Sequence, residues 1–443
     1  MKPSRSNHAC RRSRDDAAKR RRTDIRQACP TKMHWTKQLD ENSLSIRSWC
    51  ADVEPGALAQ AENLSRHPAL FSHVALMPDC HQGYGMPIGG VVAADAAVIP
   101  AAVGVDIGCG MRAVETDLPA ERFADIRVRR ALQERLKERI PVGEGVSHKE
   151  QQKWEGFEEY LGNNGQVRDW CCALDRKNLG TLGGGNHFVE LQRSTPVDGG
   201  AGEPEGGAKV WLMIHSGSRN LGKRIEEHYH RVAAKRCGHY RVRLPDPDLA
   251  FLPIEEPDGH DYFRDMLLAL RYAEENRRRM MAAFKETVAE FAPEVSFVRE
   301  LDVHHNYAAF EEHGGAKVCV HRKGATSAKR DDLGIIPGSM GAASYIVRGL
   351  GNPDSFESCS HGAGRRMSRI AACTTLTPEQ CDAALDGIVY ERWHPYRKFG
   401  KAKGRLDLSE APQAYKDIED VIRSERDLVE PLVRLVPMSS LKG

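Results

Sequence analysis

Short β-branched runs in this chain repeatedly end in a glycine turn that carries a histidine, a cysteine or an aspartate. Asp79 and His81 lie in MPDCHQGYG, Asp106 and Cys109 in VGVDIGCGMR, and Asn186, His187 and Glu190 in GTLGGGNHFVE. His215 and Arg219 follow in IHSGSRN, His304 to Asn306 in DVHHNY, His321 to Lys323 in HRKGAT and His361 in CSHGAGR. Such runs read as strands closed by tight loops. Glycine at these ends allows positive φ and close backbone approach to a ligand. A lone strand-end histidine is ordinarily a hydrogen-bonded structural residue. Seven such motifs in one chain point instead to strand ends gathered around a built site.

Strands are expected at Gly90–Val92, Ala97–Ile99, Val103–Ile107, Phe188–Leu191 and Val210–Ile214, and again over 317–347. Helices are expected over 120–140, 222–239 and 261–291, and a helical stretch over 413–434. In 261–291, Phe263, Leu267, Leu270, Ala273, Met281, Phe284, Val288 and Phe291 fall near helical spacing. No internal repeat and no long linker divides the chain. The fold class is therefore α+β: one mixed, β-rich domain over 33–443 with a helical insertion, or arm, at about 222–291.

Charge sets the first 32 residues apart. They hold eleven Lys/Arg against three Asp/Glu, which leaves a net charge of −6 on the rest of a chain with 64 basic and 62 acidic residues. Residues 1–32 are expected to be a disordered basic tail, with Met33 an alternative start. No apolar run is long enough for a membrane span and no secretory signal opens the chain, so a soluble, cytoplasmic protein with no membrane partner is expected. The twelve cysteines are scattered without a C-x-x-C, so each is a packed thiol or a metal ligand.

Two nucleotide-binding patterns fail on inspection. Gly217 to Lys223 begins like a P-loop, but Arg224 stands where Ser or Thr must hold Mg²⁺. Gly108 to Ala113 follows a strand like a dinucleotide fingerprint, yet VETDLPAERF continues poorly as its helix.

Taken in order, PDCHQGYGMPIGG, GVDIGCGMR, LGTLGGGNHF, HSGSRN, HHNY, HRKGA, IIPGSMGAASYIVRG, SCSHGAGR, EAPQAYKDI and a terminal Lys-Gly resemble the RtcB family of GTP-dependent RNA ligases. The resemblance spans roughly residues 34–443. It implies an enzyme that joins RNA ending in a 3′-phosphate or 2′,3′-cyclic phosphate to RNA beginning with a 5′-hydroxyl, in tRNA splicing or RNA repair. GTP and two Mn²⁺ ions are the implied cofactors, and an archease-like activator is a conceivable partner.

By matching motifs, the implied metal ligands are Asp106, Cys109, His187, His215 and His305, with Cys109 as a shared thiolate and His304 as the rival for the His305 role. Imidazole and carboxylate suit Mn²⁺, although affinity alone ranks it below Zn²⁺ or Co²⁺. His361 matches the residue that takes GMP from GTP, as a neutral imidazole can. The implied nucleotide contacts are Asn186, Glu190, Ser339, Ser344, Ala363, Gly364, Tyr415 and Lys442, the last requiring the chain end to fold back. Arg219, Arg322, Lys323 and Arg365 are candidates for RNA phosphates, since guanidinium pairs bidentately with phosphate; the acidic body implies that they form a local patch.

Cys80, between Asp79 and His81, and the basic, aromatic segment 391–405 depart from the family pattern. The alternative within the same fold is an enzyme that guanylylates RNA 3′ ends, in capping or repair, but joins them poorly. A non-catalytic RNA-binding relative and a metallophosphoesterase are the readings from other classes. The complete metal set and His361 argue against the first, and a nucleotide pocket with a nucleophilic histidine against the second.

Overall fold

The computed structural model describes residues 33–163, 170–198, 204, 206–396 and 401–443. The basic tail at 1–32 and part of the 391–405 segment lie outside the described residues. Two large sheets organise the rest. The first runs Trp35–Lys37, Ser45–Ser48, Leu70–His81, Ile88–Ala94, Ala316–Lys323, Asn306–His313, antiparallel except for the second and third strands. The second runs Phe297–His304, Gly110–Pro119, Lys209–Ser216, Phe188–Thr195, Val429–Lys442, Ser344–Gly349, Leu333–Ile336, all antiparallel, with Val389–Tyr390 added in parallel to Val429–Lys442.

Alternation along these strands explains their two faces. On one face of the second sheet Val114, Val189, Leu212 and Ile214 meet Leu132 and Leu136 of helix Ile126–Arg139, and Met280, Phe284 and Val288 of helix Pro257–Phe291. On the other face Met111, Trp211, Met213 and Leu435 join Leu301 of the first strand and Ile335 of the last, so the sheet curls until its outer strands share one core. A further core, with Trp49, Met77, Val91, Val320, Tyr345 and Phe356, fastens the two sheets together. The mixed α+β class expected from the sequence is the class observed.

Two local expectations are corrected. Val103–Ile107 is not a strand: Pro100–Val103 forms one helical turn begun by its proline, and Gly104 at φ 92° breaks it. Within 413–434 only Ile418–Ser424 is α-helical, and a 14-residue strand, Val429–Lys442, begins inside the stretch. Pro431 and Pro437 forbid a helix there, and both sit at register shifts of the strand, where a missing N–H is tolerated.

Helices Leu221–His239 and Pro257–Phe291 occupy the segment read as a helical arm. The longer one reaches beneath the strand ends. Its fully buried Arg277 donates to Gly108 O at 2.9 Å and Ser216 O at 3.1 Å, and Asn276 Oδ1 accepts the amides of Gly180 and Thr181 at 2.7 and 3.0 Å.

Candidate active site

Sheet register gathers the motifs at one end of the second sheet. Gly110, next to Cys109, pairs with His304 on one side and Ser216 on the other, while Phe188, next to His187, pairs with His215 and with Lys442. Five neighbouring strands therefore deliver Cys109, His187, His215, His305 and Lys442 to one rim. The first sheet brings His81 and Lys323, and the short strand Ser358–Ser360 brings His361. Between these ends lies a cavity of about 370 Å³, lined by residues that include Asp106, Cys109, Asn186, His215, His305, Lys323, Ser339, His361, Ala363, Gly364, Arg365, Tyr415 and Lys442.

Cys109 Sγ lies 3.4 Å from His187 Nε2 and 3.2 Å from His215 Nε2, all three residues buried. His187 Nε2 is also 3.3 Å from Asp106 Oδ2, and His215 Nε2 is 3.4 Å from His305 Nε2. The tautomers follow from the other ring nitrogens. His187 Nδ1 is 3.0 Å from Leu182 O and His215 Nδ1 is 3.0 Å from Asn186 O. A carbonyl only accepts, so both rings carry their proton on Nδ1 and turn a bare Nε2 inward. The buried His305 Nδ1 has no hydrogen-bond partner among the described residues.

Burial, together with neighbouring rings, pushes His215 and His305 well below the ordinary imidazole range, so both are neutral. Bare nitrogens facing one another beside a sulfur and a carboxylate repel unless a cation lies among them. The donor set fits a divalent metal ion. Gly217 is required beside it, because a Cβ there would lie 2.6 Å from the Asp106 carboxylate.

His361 sits across the cavity with its ring edge-on to that of His305, centroids 4.9 Å apart. Its Nδ1 is 2.5 Å from Asp79 Oδ2, which also accepts the His361 backbone N–H at 3.1 Å. Asp79 is fully buried; burial opposes its charge, but the His361 ring prevails and keeps the carboxyl below its ordinary value. An ionised Asp79 accepts a hydrogen bond from Nδ1–H, which keeps the proton on that nitrogen and leaves the Nε2 lone pair of His361 free. Gly364 permits the loop: at φ 72°, its Cβ would lie 2.2 Å from Asp79 O.

The expected nucleotide contacts divide. Asn186, Ser339, Ala363, Gly364, Tyr415 and Lys442 line the cavity, and Lys442 is the last residue of a central strand, so the chain end is held. Glu190 and Ser344 lie behind the wall. Glu190 accepts from Ser440 Oγ at 2.8 Å and Gln192 Nε2 at 2.7 Å, and burial pushes it up to about 7. Ser344 Oγ accepts the Gly338 amide at 3.2 Å.

Sequence reasoning missed Glu410. Its Oε1 is 3.3 Å from Arg365 Nη1 and 3.2 Å from Arg369 Nε, and its Oε2 accepts from Tyr415 Oη and from Lys442 Nζ at 3.3 Å. Burial opposes its charge, yet Lys442, Arg369 and Arg365 together hold it down at about 2. Arg369, also unforeseen, lines the cavity.

Among the expected phosphate-binding cations, Arg365 and Lys323 line the cavity. Lys323 Nζ donates to Tyr84 O and, at 3.0 Å, to Ala101 O, and burial lowers it to about 8. Arg219 donates to Thr181 Oγ1 at 3.1 Å, outside the lining. The expectation for Arg322 is corrected. Its guanidinium is fully buried, paired with Glu311 at 2.7 and 2.9 Å and bonded to Ser358, to Phe356 O and to Tyr307 Oη at 3.2 Å, so none of its five donors remains for RNA.

Among the described residues no helix is long and apolar enough to cross a membrane. The family model for the tRNA-splicing ligase RtcB matches residues 60–443. The RNA-splicing ligase RtcB of Escherichia coli K12 is 36% identical over 433 residues, covering 91% of this chain and 99% of that protein. The tRNA-splicing ligase RtcB of Thermococcus kodakarensis is 31% identical, over 95% and 96% of the two chains, and the RNA-splicing ligase RtcB of Mycobacterium tuberculosis is 33% identical, over 87% and 100%. With motifs, rim geometry and sequence likeness in agreement over most of its length, the chain belongs to the RtcB family.

Proposed function

We propose that this chain is a GTP-dependent RNA ligase of the cytoplasm, joining 3′-phosphate or 2′,3′-cyclic phosphate ends to 5′-hydroxyl ends, with His361 as the catalytic nucleophile. The observation that carries this reading is the free Nε2 of His361, with Nδ1 fixed by Asp79, facing a cavity whose opposite wall is a metal-donor set. His361 Nε2 attacks the α-phosphorus of GTP, an N–P bond forms, and pyrophosphate leaves. Water first opens a 2′,3′-cyclic end by breaking the O2′–P bond, leaving a 3′-phosphate; His361 then passes GMP to the RNA 3′-phosphate, and the 5′-hydroxyl attacks that phosphate and expels GMP.

Mn²⁺ held by Cys109, His187 and His215, with Asp106 and His305 beside them, would supply Lewis-acid charge to the reacting phosphates. The protein's own groups do the positioning. Asp79 accepts from Nδ1–H and holds that proton on the ring during attack, so only Nε2 of His361 acts as nucleophile. Tyr415 and Lys442, held by Glu410, form the nucleotide wall, with Asn186, Ser339, Ala363 and Gly364 beside them and Glu190 and Ser344 supporting it. Arg365, Arg369 and Lys323 offer cations to phosphates, and Arg219 stands nearby as a further RNA contact. The test is incubation with α-labelled GTP and Mn²⁺, followed by a denaturing gel. A covalent, acid-labile label on the protein is expected; a protein that takes up no label contradicts the proposal.

A further inference from the structure

Ser360 and His361 offer consecutive backbone amides to two buried carboxylates from distant parts of the chain. His361 N donates to Asp79 Oδ2 at 3.1 Å, and Ser360 N donates to Glu425 Oε2 at 2.9 Å. Asp79 is on strand Leu70–His81, whereas Glu425 closes helix Ile418–Ser424. The Glu425 carbonyl accepts the amides of Leu428 and Val429 at 2.9 and 3.0 Å, which anchors it to the start of the strand ending in Lys442. Both carboxylates are fully buried, and their second oxygens, Asp79 Oδ1 and Glu425 Oε1, have no hydrogen-bond partner among the described residues.

Two buried carboxylates on consecutive amides, each raising the other, do not both ionise readily. Asp79 holds the charge, through His361. Glu425 shifts the opposite way. Burial pushes it up to about 8, with Asp79 and Asp427 adding to the rise while the Ser360 amide and hydroxyl resist it. The groups facing it are Asp79 on the strand, Asp427 on its own turn, and Ser360 and the Cys359 thiol on Ser358–Ser360. No basic side chain among the described residues is paired with it.

We propose that Glu425 is a positioning residue for the nucleophile: its carboxyl fixes the Ser360 amide, the one negative charge behind His361 stays on Asp79, and the ring keeps its Nδ1–H tautomer. This rests on the reading of His361 as the residue that takes GMP. A neutral carboxyl and a carboxamide can fill the same role, whereas an apolar side chain leaves the Ser360 amide without an acceptor. A second charge beside Asp79 disturbs the arrangement.

The test is single-turnover labelling of the full chain with α-labelled GTP and Mn²⁺, for wild type, Glu425→Leu and Glu425→Gln, across the pH range about the Glu425 transition. The ¹⁵N signals of the His361 ring, assigned with His361→Ala, give a readout independent of activity. Glu425→Leu is expected to slow labelling about tenfold with little change in the GTP concentration needed, and Glu425→Gln to restore most of the rate. The wild-type rate falls more steeply above pH about 8 than that of the Gln variant, whose remaining fall follows the loss of charge on Lys323. Wild-type labelling by the Leu variant, or one shared pH profile for wild type and Gln, overturns the proposal.

Should Glu425→Leu fail to fold, the comparison of wild type with Gln decides. Absence of label on wild type at every pH removes the guanylylation reading, and the ring spectra then decide on Glu425 alone. A single Nδ1–H tautomer at neutral pH in wild type and Gln, losing its uniformity above pH about 8 only in wild type, supports the proposal. Spectra that respond identically to pH overturn it.

Discussion

One oxygen of Asp79 fixes both the main chain and the ring of His361: Oδ2 is 3.1 Å from its backbone nitrogen and 2.5 Å from Nδ1. The residue read as the nucleophile is thus set in position, orientation and tautomer by a single carboxylate. Asp79→Asn removes the charge and offers an N–H or a weaker acceptor to Nδ1. It is expected to cut the guanylylation rate about a hundredfold or more while the Mn²⁺ content stays that of wild type. Rapid labelling of this variant in a quench experiment would show that the ring needs no such partner.

His361→Ala separates covalent transfer from sealing. The first two steps need the imidazole as carrier, whereas the last needs only groups that place the ends and stabilise the departing GMP. The variant should neither label itself nor join 3′-phosphate RNA, yet should seal RNA already carrying a 3′-guanylate. His215→Ala and Asp106→Ala should fail with both substrates. Gel-resolved ligation of the two RNAs checks this, and sealing of guanylylated RNA by His215→Ala at the wild-type rate would count against the metal assignment.

Cys109 predicts a proton count. Burial first, and then Asp106, push its thiol well above the ordinary range, so it is protonated at neutral pH until a cation arrives. Binding of the metal as a thiolate complex must release about one proton, and affinity must rise with pH. Calorimetry of Mn²⁺ binding in buffers of different ionisation enthalpy measures that release. Cys109→Ser should bind Mn²⁺ at least about tenfold more weakly and release no such proton.

How much of this could be read in the chain depended on what each residue shows locally. Asp106, Cys109, His187, His215, His305 and His361 stand in long motifs at strand ends; five of them line one cavity, and His187 lies against Cys109 beside it. Asp79 stood in such a motif as well, but its bond to a histidine 282 positions away has no local signature. Glu410 and Glu425 read as ordinary acidic residues, because burial is decided by the packing of distant strands. Arg322 was misplaced for the same reason: its charge suited a phosphate, and only the fold put Glu311 opposite. The apolar spacing in 413–434 fits a helix or a strand, and Pro431 and Pro437 were the available signals for the strand.

Glu410 links the nucleotide wall to acid stability. Its pKa is depressed from 4.5 to about 2, so its contribution is fully present above pH about 4.5 and is lost as pH falls through about 2. The depression corresponds to roughly 3 kcal/mol. Glu410→Gln should lose stability of that order at neutral pH and much less in acid. Because Arg365, Arg369, Tyr415 and Lys442 lose their common partner, it should also raise the GTP concentration needed for labelling more than it lowers the maximal rate. Denaturant melts at several pH values and a GTP titration measure both; a neutral-pH stability equal to wild type would contradict the network's role.

The central claim is that His361 carries GMP. The most direct measurement is mass spectrometry of peptides from the full chain after reaction with GTP and Mn²⁺, under alkaline conditions that preserve a phosphoramidate. One added GMP is expected, confined to the peptide containing His361 and absent from His361→Ala. GMP on another residue, or an undiminished adduct in His361→Ala, would contradict it.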